Sequence, residues 1–114
     1  MRRTGIERID HIKECIDKIL QSTEEISKTT LEDDWILQAA LVRWIEIIGE
    51  ASKFVPDDIK EKHNEIPWRE MAGMRDIAIH DYDDIDLEEI WNIIQRDIPL
   101  LKDQLSKIKR ITEQ

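Results

Sequence analysis

Residues 35–54 read WILQAALVRWIEIIGEASKF. The apolar side chains of this stretch, from Trp35, Ile36 and Leu37 through Leu41, Trp44 and Ile45 to Ile47, Ile48 and Ala51, nearly encircle a helix rather than striping one side. A helix apolar all round has to be covered on most of its surface. It therefore reads as a buried helix of an all-α domain, and in so small a chain a second copy can supply part of the cover.

The segments on either side repeat the helical signal. Upstream, Ile6, Ile9, Ile12, Ile16, Ile19, Leu20 and Ile26 recur every three or four residues, which predicts one long amphipathic helix. A break is expected around Lys28 to Glu32, with Asp33 or Asp34 capping the helix that follows. Downstream, Pro56 ends the second helix and PDDIKEKH (56–63) predicts a short helical turn. Pro67 sits where a first-turn proline belongs and opens a helix through WREMAGMRDIAIH (68–80). An acidic turn, DYDDID (81–86), comes next, and Asp86 with Glu89 resembles a capping box for a last helix carrying Leu87, Ile90, Trp91, Ile94, Ile98, Leu101 and Leu105. Pro99 lies inside that pattern and predicts a kink rather than a stop, because the apolar spacing continues past it. No stretch alternates long enough to be a convincing strand. The expected fold is all-α, a four- to five-helix up-and-down bundle forming a single domain over residues 1–114.

Twenty-six acidic residues against 17 lysines and arginines give a formal net charge of −9, which argues against a general nucleic-acid coat protein needing a basic face. It leaves room for an enzyme using one or two arginines at a small phosphate site. Much of the acid reads as a solvated surface. The single cysteine, Cys15, allows no intrachain disulfide and suits a reducing compartment. The basic start MRRTGIERID is followed by no apolar run of signal-peptide type, and no segment reaches membrane-spanning length. A soluble cytoplasmic protein is expected.

Most candidate sites fail on their own chemistry. His11 and Cys15 share a helix face, but nothing nearby completes a zinc site, so they read as an incidental surface pair. DYDDIDLEE (81–89) lacks the glycine and the final glutamate of a calcium-binding loop, since the sixth and twelfth positions from Asp81 are Asp86 and Asn92. His63 reads as an exposed loop residue. Trp35, Trp44, Trp68 and Trp91 sit among aliphatics at helical spacing, which fits core or interface packing better than base stacking. Neither a metal nor a cofactor is expected.

The remaining motif is MRDIAIHDY (74–82). Arg75 and His80 are five residues apart, about 140° around an ideal helix, so one helix cannot aim both into one pocket. Either the helix ends before His80, or the two face different surfaces and converge only where another molecule completes the site. In the plainest reading Arg75 pairs with a neighbouring acid and His80 sits at a helix C-terminus, where a cation is favoured. In the catalytic reading, histidine serves as acid or base in metal-independent RNA cleavage and arginine holds the phosphate. One chain offers one such histidine, and a two-fold dimer would bring two copies to one cleft. Spacing alone leaves both readings open.

Arg75, four intervening residues, His80, one residue, then Tyr82 matches the R-x4-H-x-Y motif of the HepT-like HEPN toxin family. The resemblance extends across IEIIGEA (45–51), IPWR (66–69), the D-L-x-x-I-W stretch at 86–91 and D-I-P-x-L at 97–101. It implies a homodimeric, helical, metal-independent endoribonuclease toxin acting on RNA. It also implies a partner, the minimal nucleotidyltransferase antitoxin MntA, which neutralises the toxin by AMP transfer to the motif tyrosine. Carried over by position, Arg75 and His80 would be catalytic and Tyr82 the modified residue; Asp76 and Glu46 are candidate supporting groups beside them. Asp76 stands where many relatives have asparagine, and Asp81 lies between His80 and Tyr82. Both carboxylates would repel an RNA backbone, which motivates an alternative, a non-catalytic helical substrate-binding subunit of a two-component nucleotidyltransferase. A plain dimeric scaffold is the third reading, motivated by the all-round apolar helix.

Overall fold

Ile9, Ile12, Cys15, Ile16 and Ile19 form a continuous buried stripe along α1 (Gly5–Thr23), as the three-and-four spacing requires. The computed structural model describes residues 5–81 and 84–108, the side chains of His80 and Asp81 excepted. Burial of Cys15 at 2% exposure corrects its reading as half of a surface pair; it is a core residue. Glu25 takes a left-handed backbone, φ 59°, at the turn out of α1. The expected break at 28–32 is instead a six-residue helix, α2 (Lys28–Asp33). Ser27 caps it by accepting from the Thr30 N–H at 3.1 Å, a signal that composition hides because the segment is so short.

Asp34 then caps α3 (Trp35–Lys53) by accepting from the Leu37 N–H at 3.0 Å. One face of α3, with Leu41, Ile45, Ile48 and Ser52, is buried, while Trp35 and Ile36 at its start are exposed. Helix α3 lies between α1 and α5, and α1 also packs on α7. The short α4 (Asp57–Lys62) ends at His63. The His63 carbonyl accepts the indole N–H of Trp68 at 3.1 Å, so this histidine is half-buried and its backbone is tied down, not a free loop residue.

Helix α5 (Trp68–Ala78) follows Pro67 and stops two residues short of the expected His80. Ile79 turns extended and buries its side chain at 5% exposure. Residues Ile79–Asp81 (β1) pair antiparallel with Asp84–Ile85 (β2), and the Asp86 N–H donates to the Ala78 carbonyl at 2.8 Å. The acidic turn is thus a miniature ribbon on an otherwise helical fold.

The last helix is continuous but not uniform: α6 (Leu87–Asn92), a π-helical turn over Ile93–Asp97, then α7 (Ile98–Leu105). Asp86 caps α6, accepting from the Glu89 N–H at 3.1 Å, which is half of the expected capping box; the Asp86 N–H goes to the Ala78 carbonyl rather than back to Glu89. The Ile98 N–H reaches the Ile93 carbonyl, five residues back. Pro99 has no N–H and its ring would collide with the carbonyl four residues earlier, so the widened turn just before it lets the helix carry on. Ile90, Ile93, Ile94, Ile98, Leu101 and Leu105 are buried across the change of pitch. The architecture is an all-α bundle of four long helical segments and two short ones among the described residues. No helix of the described residues is long and apolar enough to cross a membrane.

Candidate functional site

The site starts from a glycine. A Cβ on Gly49 of α3 would stand 3.3 Å from the Ala72 carbonyl oxygen and 3.4 Å from that of Met71, so bare Gly49 allows α3 and α5 to meet backbone to backbone. One turn before Gly49 is Glu46, and one turn after Ala72 is Arg75. The close crossing brings Arg75 Nε to 3.9 Å from Glu46 Oε2. Arg75 Nη1 lies 3.5 Å from Asp76 Oδ1. Both separations exceed the 2.7–2.9 Å of a tight charge-assisted bond. The Arg75 side chain, 43% exposed, is flanked by acid but not clamped. A groove of about 120 Å3 between the helices is lined by these residues together with Glu50 and Lys53.

The packing brings Arg75 and Asp76 together with Glu46 of the neighbouring helix. His80 lies in β1, beyond the end of α5, and the description there stops at its backbone. Tyr82 lies outside the described residues. Of the two alternatives left by the angular argument, the first holds: the helix ends before His80, and ideal-helix geometry no longer separates it from Arg75.

A second, larger groove lies on the α1 side of the Glu46–Glu50 ridge. It encloses about 410 Å3, and its charged wall is formed by Arg8 and His11 of α1 with Arg43, Glu46 and Glu50 of α3. Arg8 holds its guanidinium 4.7 Å over the ring of Phe54. Sequence reasoning missed Arg8 and Arg43 altogether. The available signal was weak: Arg8 with His11 and Arg43 with Glu46 each share a helix face, but only the packing of α1 on α3 joins the faces. No group of three or more metal-ligating side chains occurs among the described residues.

The fold is thus an all-α bundle with Arg75 in a shallow, acid-walled groove, five residues before His80 in sequence. Residues 12–108 match the family profile described as Ribonuclease HepT-like, and the chain belongs to this family. It is 43% identical over 110 residues to "Probable ribonuclease HepT" of Thermococcus cleftensis, covering 96% of this chain and 100% of that one. A protein of Methanocaldococcus jannaschii named "Gamma-glutamylcyclotransferase and putative RNase" is 46% identical over 104 residues, which are 88% of this chain and 45% of that longer protein. A "Putative RNase" of Caldanaerobacter subterraneus is 39% identical over 100 residues, covering 88% and 89% of the two chains. No solved structure matches the chain.

Proposed function

We propose that the protein is a metal-independent endoribonuclease, the toxin of a toxin–antitoxin pair, acting in the cytoplasm as a homodimer with Arg75 and His80 from both copies at one cleft. The observation that carries this reading is the half-exposed, loosely held guanidinium of Arg75 in a chain of the HepT-like family. A phosphate that enters can displace contacts of 3.5 and 3.9 Å and take a bidentate grip in their place. In the chemical step one histidine removes the proton from the ribose 2′-hydroxyl, and the 2′ oxygen attacks the adjacent phosphorus. The bond to the 5′ oxygen breaks, and the second histidine protonates that oxygen as it leaves. The arginines balance the charge that builds on the phosphoryl oxygens. Glu46 faces Arg75 from α3 at 3.9 Å and Asp76 faces it from its own helix at 3.5 Å, so the guanidinium rests between two carboxylates until a phosphate replaces them.

Control falls to Tyr82. Transfer of AMP to its hydroxyl by an MntA-like nucleotidyltransferase would add bulk and negative charge two residues from His80, where the RNA phosphate has to lie. Incubating the purified protein with RNA in EDTA tests the catalytic assignment. The parent should cleave, and His80→Ala should lose at least a hundredfold in rate; equal activity in the two would reject the mechanism. The exposed carboxylate of Asp76 beside Arg75 favours a second reading, a subunit that presents substrate to its nucleotidyltransferase partner without cutting RNA. A parent protein that never cleaves, yet needs Tyr82 for function with its partner, would support that one.

A further inference from the structure

We infer that the α1–α3 groove is a single-stranded-RNA subsite, in which Arg8 and Arg43 hold backbone phosphates next to the one at Arg75, and that Phe54, outside the lining but in contact with Arg8, stacks a base. This rests on the ribonuclease reading and extends it to the form of the substrate.

The charge arrangement is the first support. The chain carries a net charge of −9, yet this groove keeps its arginines available. Its two glutamates also face cations across their ridge: Glu46 lies 3.9 Å from Arg75, and Glu50 lies 3.8 Å from Lys53. Arg43 is exposed and forms no ion pair among the described residues, and neither does Arg8, whose guanidinium rests on Phe54 instead. His11 adds a further nitrogen-bearing side chain to the same wall.

The second support is continuity. Glu46 and Glu50 line both grooves, so a strand leaving Arg75 needs only to cross one helix ridge to reach Arg43 and Arg8. From Arg43 to Glu50 the groove follows α3 for about 10 Å, room for a short stretch of one strand. The third support is Phe54, at 55% exposure one of the few large apolar side chains left on the surface. Arg8 covers one face of the ring, and a base stacked on the other face has to be unstacked from its neighbours. A paired duplex offers none, which selects single strands.

The test is binding in the His80→Ala background, by fluorescence anisotropy with a labelled single strand of about 12 nucleotides and its duplex. Arg8→Gln, Arg43→Gln and Phe54→Leu should each weaken single-strand binding about five- to tenfold. The two arginine variants should also flatten the dependence of log K on log salt by about 0.7 each, while Phe54→Leu leaves that slope alone. In the cleavage-competent parent background the same changes should fall on KM rather than kcat. Unchanged affinity in all three variants, no RNA binding by the background protein, or a duplex bound as tightly as the single strand would overturn the subsite. Thermal melts of each variant separate lost contacts from lost folding. Cleavage keeps the two proposals apart: if His80→Ala is inactive while these variants bind normally, the subsite falls and the catalytic assignment stands. If they lose RNA while His80→Ala still cleaves, the reverse holds.

Discussion

The contact at Gly49 can be tested against a control in the same protein. Gly49 and Gly73 both lie inside helices, α3 and α5, and on propensity alone alanine at either should stabilise by about 0.8–1 kcal/mol. Their surroundings differ. A Cβ at Gly73 meets nothing within 4 Å, so Gly73→Ala should realise the gain. A Cβ at Gly49 meets two backbone carbonyls at 3.3 and 3.4 Å, and backbone in a packed helix cannot swing aside as a side-chain tip can. Overpacking of this kind costs about 1–3 kcal/mol, which cancels or outweighs the propensity term and leaves Gly49→Ala between about neutral and 2 kcal/mol destabilised. The two variants should therefore differ by about 1–3 kcal/mol, or roughly 4 °C in Tm per kcal/mol for a domain of this size. Urea and thermal unfolding followed at 222 nm, at one fixed protein concentration, measure the difference. Gly49→Ala stabilised as much as Gly73→Ala would refute the claim that α3 and α5 meet there by backbone approach, and with it the reason Glu46 faces Arg75.

Two further outcomes follow from named contacts. Arg75→Lys keeps the charge but loses the planar fork, so RNA cleavage should fall at least tenfold with the melting temperature unmoved, as steady-state assays and thermal melts would read. Lys28 forms an ion pair with Glu88 that ties α2 to α6, and the hydrogen bond it donates to that carboxylate raises the lysine pKa above its usual 10.5. A raised lysine pKa means stability fully present below 10.5 and lost as pH climbs through the folded value. Lys28→Met should therefore melt slightly below the parent at neutral pH, and the gap should close in strongly alkaline buffer.

Much of the fold was legible because burial here follows plain helical periodicity. The stripes of α1 and of the last helix, the Asp34 and Asp86 caps and the stop at Pro56 all come from local chemistry. What was not legible depends on tertiary context. Helix α2 is too short for a periodic signal, and only Ser27 marks it. Nothing in MRDIAIHDY says that Ile79 will leave the helix for the core, yet that turn places His80 off α5. Pro99 announced an irregularity but not its π-helical form. At the site, Arg75 stood out by its motif, whereas its contact with Glu46 needs the Gly49 crossing and the groove of Arg8 and Arg43, 35 residues apart in sequence, needs α1 to pack on α3.

The composite cleft is the central claim, and a subunit-mixing measurement tests it most directly. Parent protein is exchanged with a tenfold excess of His80→Ala chains, and cleavage per parent chain is followed at saturating RNA. If each cleft needs a histidine from both copies, most parent chains end up paired with inactive partners, and activity per parent chain should drop to about one-tenth. Activity per parent chain that stays constant across the mixing series would show that each chain cleaves alone, and would contradict the shared site.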